Sequence, residues 1–347
     1  MNIDIKRIQK YAKTFMSYLM VFVGLSILVF IIVRVMPGDT ARMALGPRVP
    51  EETVEALRQE MHLNEPYYVQ YVYWIKDVLS GDLGISVISK RPVLDDIKTY
   101  LPATLELVVF SAIFMSVFGI LLGVLATKYS GKWQDAFVRI LSYLGIVAPN
   151  FLWAVIAILL FSYKFPILPI SGRISPGMLP PPMVTRMYIV DYLLAGNPAG
   201  AWDAFKHIIM PATVLSFGGI SQAARITRAS MTGNLEKPYA SAERAYGIPE
   251  RKILFKYLLK PSLNSTISCL SLDIAALFGG AFLVETVFNF PGLSRYALQA
   301  MLNKDVFAVS AIIIFEGAIF VLFNFFTDVL LGVLDPRVRY SRRIQQS

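Results

Sequence analysis

Long apolar runs alternate with polar, charged segments along this chain. Six runs come up to or near the ~20 residues that a membrane-crossing helix needs: 14–36, 101–127, 140–163, 208–224, 266–288 and 306–330. Pro102 opens the second, where a missing N–H costs little. Pro149-Asn150 interrupts the third. The fourth is short, and Pro211 and the pair Gly218-Gly219 predict a break in it.

The polar segments carry their own patterns. In 37–100, Glu51-Glu52 place acids in the first turn of a helix, and Val54, Leu57 and Met61 recur at helical spacing. A second helix runs over 67–79 and stops before Gly81. These helices either cap the membrane bundle or form a platform for an external partner; their apolar stripes fit both. The segment 165–207 holds seven prolines, and the run Pro180-Pro181-Pro182 predicts an extended, ordered loop. In 225–261 a short helix over 239–246, rich in small residues, is followed by Gly247 and Pro249. Glycine takes the left-handed geometry that ends a helix, and a proline just beyond cannot continue it.

Composition agrees with the pattern. Of 347 residues 55% are hydrophobic and 16% charged, against about 25% charged in soluble domains. The net charge of +9 is therefore read as loop topology, not as nucleic-acid binding. Six crossings put both termini on one side. The N-terminus, the loop near Lys128, Lys132 and Arg139, the stretch 225–261 and the C-terminus together hold nineteen basic residues and six acids, whereas fourteen basic residues face thirteen acids on the other side. The basic side is the cytoplasmic one. The run 14–36 follows Lys6, Arg7, Lys10 and Lys13 but is longer than a signal-peptide core and has no small-x-small cleavage site, so it reads as a retained helix.

Chemistry is sparse. The lone Cys269 excludes an intrachain disulfide, and His62 and His207 have no ligand spacing around them, so no metal site is expected. There is no phosphate-cradling G-x-x-x-x-G-K-[ST] loop and no hydrolase motif. Five acids fall within apolar runs: Glu106, Asp273, Glu285, Glu316 and Asp328. Glu106, Glu285 and Asp328 lie near run ends and can reach the interface. Asp273 and Glu316 are deeper and are either hydrogen-bonded helix contacts or the lining of a solute path. Ser268 and Ser271, with Ser265 and Thr266, would add hydroxyls to that lining.

Several stretches, in order, resemble one family. LVFIIVRVMPGDTAR (28–42), GDLGIS (81–86), RPV (91–93), LPATLEL (101–107), ARITRASM (224–231), ETVFNFPGLSRYA (285–297) and Asp335-Pro336-Arg337 are similar to the permeases of dipeptide and oligopeptide ABC importers, nearest the first of their two permeases. The resemblance implies an all-α integral membrane fold with six transmembrane helices of the type I importer class. It implies four regions: a cytoplasmic segment and first helix (1–36), an outer helical segment (37–100), a five-helix core (101–334) with a cytoplasmic coupling loop (225–262), and a cytoplasmic tail (335–347). It further implies that Tyr239, Ala242, Glu243, Arg244, Ala245 and Gly247 meet an ATPase. Glu243 stands where the family often has alanine, and Pro261-Ser262-Leu263-Asn264-Ser265 replaces its usual Asn-Ala-Leu-x-Pro.

The implied partners are a second permease, two ATPases holding ATP and Mg2+, an extracytoplasmic solute-binding protein and membrane lipid. No cofactor is expected on this chain, which does no covalent chemistry, and the location is a prokaryotic inner membrane. Peptides are the first cargo implied, with oligosaccharides and metal chelates as alternatives. A self-sufficient secondary transporter is the reading from another class; no internal duplication supports it.

Overall fold

The computed structural model describes residues 5–35, 40–46 and 48–334. Met36, the tail 335–347 with Asp335-Pro336-Arg337, and the side chains of Lys6, Arg7, Lys10 and Asp328 lie outside the described residues. The helices in order are α1 (Ile5–Val35), α2 (Thr40–Leu45), α3 (Glu51–Glu60), α4 (Tyr67–Ser80), α5 (Val93–Lys128), α6 (Trp133–Val147), α7 (Asn150–Ile158), α8 (Tyr188–Leu194), α9 (Pro198–Leu235), α10 (Pro238–Ala245), α11 (Glu250–Lys252), α12 (Lys260–Val287), α13 (Leu293–Leu302) and α14 (Val306–Leu334). Wider π-helical turns, Leu159–Lys164 and Ile253–Leu259, follow α7 and α11. Among the described residues there is no strand, only one isolated bridge between Ile85 and Pro92.

Among the described residues, four helical stretches are long and apolar enough to cross a membrane: Ala12–Arg34, Val93–Lys128, Glu250–Val287 and Val306–Thr327. The pair Trp133–Val147 and Asn150–Lys164 makes a fifth if counted together, but it bends by 113°. Pro149 causes the break: the residue before it, Ala148, is held extended at φ −82°, ψ 135°.

Two expectations about helix ends are corrected. Pro102 lies inside α5 rather than at its start. The expected break at Gly218-Gly219 does not occur either, since α9 runs unbroken for 38 residues. Gly219 serves packing instead: a Cβ on it would collide with Met115 Sδ.

The chain divides into two compact units. The first comprises Met1–Thr104 with Pro291–Phe325. Its core gathers Val93, Ile97, Leu293, Tyr296, Ala308 and Ile312. Two fully buried carboxylates organise its polar interior. Asp305 accepts from the Ser86 hydroxyl at 2.6 Å, Val87 N at 2.7 Å and Ala308 N at 3.1 Å. Asp96 accepts from Tyr296 Oη at 2.7 Å, and from Arg91 and Ser89. The GDLGIS and RPV stretches thus supply donors and turns around buried acids. The two helices predicted in 37–100 are present as α3 and α4, and α4 packs along α1 through Ser26–Tyr71 and the Phe30, Tyr71 and Trp74 rings.

The second unit comprises Leu105–Phe290 with Phe326–Ser347. Its hub is α9, which packs against α6, α7, α8 and α12. Helices α5 and α9 approach almost backbone to backbone. A Cβ on Gly119 would lie 2.6 Å from Ala223 Cβ, and one on Gly123 would lie 2.9 Å from the Ala224 carbonyl. Such small-residue contacts are how helices pack where the surroundings are themselves apolar.

The proline-rich segment is not wholly extended, because α8 and the first turns of α9 fall within 165–207. Glu106 does not reach an interface. It is 3% exposed and accepts from Arg173 Nη2 at 2.5 Å and Ile189 N at 2.8 Å. The Arg173 guanidinium also lies 3.7 Å from the Tyr188 ring centre. Asp191 is equally buried. Burial alone pushes its carboxyl up, but the Thr185 amide and hydroxyl and the Arg186 amide outweigh burial and leave it below the usual carboxylate range.

Candidate functional site

The basic stretch folds as a short projecting helix with a clamped base. Pro238 takes the first position of α10, where its missing N–H is not needed. At the other end Gly247 turns at φ +74°. Its N–H donates to the Arg244 carbonyl at 2.9 Å, and Ile248 N to the Glu243 carbonyl at 3.1 Å. This pair of bonds is the Schellman termination. The helix is thereby closed at its C-terminal end by Gly247, the residue that predicted its stop.

One side of α10 is anchored. Ala240, fully buried, joins Val124, Met231, Ile253 and Leu258 in a local core, with Ile248 against it. The residues expected to meet a partner are mostly left outside. Ala242, Arg244, Ala245 and Gly247 are exposed, and Glu243 is partly exposed. Tyr239 is 37% exposed. Its hydroxyl donates over a long 3.4 Å to the Tyr257 carbonyl, which Pro261, lacking an N–H, cannot serve. Arg244 Nε pairs with Glu250 at 2.7 Å, but both side chains are well exposed, at 40% and 71%, so the pair adds little stability.

The base of the projection is closed by two buried polar pairs between α9 and α12. Asn234 Nδ2 donates to Ser262 Oγ at 2.9 Å, and the hydroxyls of Thr227 and Thr266 share a bond at 2.9 Å. Ser262 passes its own proton to the Leu258 carbonyl at 2.7 Å. Thr266 is therefore spent on a helix–helix contact and does not join the hydroxyl lining expected of it. Nearby, Arg228 grips Asp135 of α6 with two bonds of 2.5 and 2.9 Å.

The four residues singled out for a path divide between the two units. Ser268, Ser271 and Asp273 share α12. Ser268 is exposed and bonds the Asn264 carbonyl at 2.9 Å. Ser271 is buried and bonds the Ile267 carbonyl at 2.8 Å. Asp273 is partly buried and accepts from Cys269 Sγ at 3.4 Å. Glu316, on α14 of the first unit, accepts from Ser294 Oγ at 3.3 Å. Along α12 the exposed positions Asn264, Ser265, Ser268, Leu272, Ala276 and Gly279 follow one another at helical spacing.

Residues 119–340 match the binding-protein-dependent transport system inner membrane component family, and residues 8–108 match the N-terminal region of such components. The chain belongs to this family. The match to this inner membrane component takes in α6 to α14, the clamped projection included. Its relatives are full-length. It is 36% identical over 319 residues to the probable D,D-dipeptide transport system permease protein DdpB of Escherichia coli (strain K12), covering 92% of this chain and 94% of that one. The dipeptide transport system permease protein DppB of Alkalihalophilus pseudofirmus is 32% identical over 320 residues, 92% and 96% of the two chains. The glutathione transport system permease protein GsiC of Escherichia coli O6:H1 is 30% identical over 316 residues, 91% and 94%.

Within this inner membrane component, motif reading found the projection but missed what holds it. Ala240, Asn234 and Ser262 carry no chemical signature. Two further signals were legible. Asn234 lies seven residues after Thr227, and Ser262 four before Thr266, so each pair shares one helix face. Gly119 and Gly123 stand four apart in an apolar run, the spacing of a close helix contact.

Proposed function

We propose that this chain is the permease subunit of a peptide importer, and that α10 docks a cytoplasmic ATPase. The observation that carries the docking is the build of α10: held through one buried alanine, closed at its C-terminal end, and leaving Ala242, Arg244, Ala245 and Gly247 exposed. Small exposed residues permit close approach of another protein's surface. Peptide cargo is supported by relatives whose names specify dipeptide, D,D-dipeptide and glutathione transport systems.

On this reading the chain does no covalent chemistry, and ATP and Mg2+ belong to two ATPase partners. The exposed strip of α12 faces a second permease or the solute path, with Ser268, Ser271 and Asp273 beside it and Glu316 serving on α14. The chain crosses the membrane six times with both termini cytoplasmic. Helix α9 supplies the sixth crossing. At 1.5 Å per residue its 38 residues reach about 57 Å, more than the ~30 Å of hydrocarbon, and its modest hydropathy follows from being wrapped in protein. Residues 37–100 then face outward to a solute-binding protein, ahead of a core at 101–334 and a cytoplasmic tail at 335–347.

The test is a mild-detergent pull-down with mass spectrometry. A second permease, two ATPases and a binding protein should come with the chain; its recovery alone, where other such complexes survive, would turn the reading to a self-sufficient transporter. Glu243→Lys should lower ATPase recovery and transport while leaving the chain's own yield unchanged. Normal coupling by that variant would count against Glu243 as a contact.

A further inference from the structure

The first unit holds a cavity of about 440 Å³, within the ~300–1,000 Å³ range of small-ligand sites. It is lined by the end of α1, by α3, α4 and the turn after them, and by the start of α14. Two of its polar groups are buried without a partner and are opposite in kind. Among the described residues, Arg34 Nε and Nη1 find no acceptor, the guanidinium lying 5.3 Å from the Phe30 ring centre, and Gln70 Oε1 finds no donor. Gln70 is 4% exposed, and its amide nitrogen is already committed to the Leu63 and Glu65 carbonyls at 3.1 and 2.7 Å. That fixes the oxygen as the free end. Buried polar groups left unpaired cost about 1–3 kcal/mol each, more for charged ones, so a molecule bringing both an acceptor and a donor is strongly favoured here.

Position narrows the choice. Arg34 is the last residue of the apolar span Ala12–Arg34, 23 residues long, or about 35 Å at 1.5 Å per residue. That length covers the ~30 Å hydrocarbon layer and sets the guanidinium at headgroup level. Phe30, Tyr71 and Trp74 cluster beside it, as aromatic residues do at that depth. Guanidinium forks match phosphate oxygens in pairs. The exposed liners Glu60, Asp77 and Asp82 outnumber the one exposed cation, Lys90, which favours a positive group next to the phosphate.

We infer that this cavity binds the headgroup of an aminated phospholipid, its phosphate on Arg34 and its ammonium on Gln70 Oε1 and the acidic liners. The inference needs only that α1 spans the bilayer; it holds for either orientation and for any cargo.

The full chain is placed in nanodiscs of equal phosphatidylethanolamine, phosphatidylglycerol and phosphatidylcholine, then re-extracted, and retained lipid is counted by native mass spectrometry. Phosphatidylethanolamine should be enriched over phosphatidylcholine, which has no N–H donor, by on the order of tenfold, the worth of one charge-assisted hydrogen bond. Arg34→Gln, which removes the partner of the phosphate, should cut retention of phosphatidylethanolamine itself by on the order of tenfold, and Arg34→Lys should keep part of it. Should Arg34→Gln not fold, the exposed Asp77→Asn decides, by lowering the preference for phosphatidylethanolamine over phosphatidylglycerol. Equal retention of the three headgroups overturns the inference. So does a cavity that retains no lipid and holds water alone, or displacement of the lipid by millimolar dipeptide.

Discussion

Single side chains decide where the second unit is fastened. Asn234 and Ser262 make a buried bond, so losing either leaves a partner stranded. Asn234→Ala and Ser262→Ala should each lower stability by about 1–2 kcal/mol. The double variant should cost well short of the sum, as expected for residues in one contact; thermal melting in detergent reads all three. Asp191 makes a prediction about pH. Its carboxyl is held below its ordinary value in the folded chain, so it adds stability above the unfolded pKa of about 3.9, and that stability is lost as pH falls through the lower folded value. Asp191→Asn should therefore melt earlier than the natural chain from pH 7 down to about 5, with the gap closing below about pH 4.

Elements show where sequence reading succeeds and where it stops. The ends of α4 and α10 were legible because Gly81 and Gly247 sit at left-handed C-terminal positions, a local demand that sequence displays directly. The continuity of α9 was not. Pro211 and Gly218-Gly219 argue for a break on propensity, and what overrides them is tertiary: α9 is packed along its length by α6, α7, α8 and α12, and Met115 of α5 fills the space beside Gly219. The bend at Pro149 was marked by its residue but not by its angle, since a proline fixes that a helix ends and not where the next one points. Gly123 tests the override. Gly123→Leu must displace both Thr227 and the Ala224 carbonyl, and should destabilise by about 1–3 kcal/mol and cut membrane yield. The same change at Gly233, where nothing lies within 4 Å of a Cβ and the backbone is helical, meets no such packing clash.

For the whole molecule, the residues that sequence reading assigned to a solute path are held by few bonds: Ser268 and Ser271 bond only carbonyls of their own helix, and Asp273 accepts from Cys269 four residues before it. Glu316 has one long bond, from Ser294. If it lines the path, Glu316→Gln should alter uptake in reconstituted vesicles without changing complex yield; loss of the folded chain would make it a structural contact instead. Two distant chain segments make up each compact unit, and no hydropathy profile shows that. The segments are joined by side chains such as Asp305 to Ser86 and Asp96 to Tyr296, 219 and 200 residues apart, and pairings of that range leave no trace in local pattern.

The unbroken α9 also works as a lever. Near its C-terminal end Asn234 holds α12, and near its N-terminal end Asp203 holds the proline-rich segment through Ser175, by bonds of 2.8 Å from both the amide and the hydroxyl. A rod of about 57 Å tilted by ~5° about its middle displaces each tip by roughly 2.5 Å, in opposite directions. If α10 docks an ATPase as proposed, a push on it would reach the far loop along α9 itself, with no relay of side chains between.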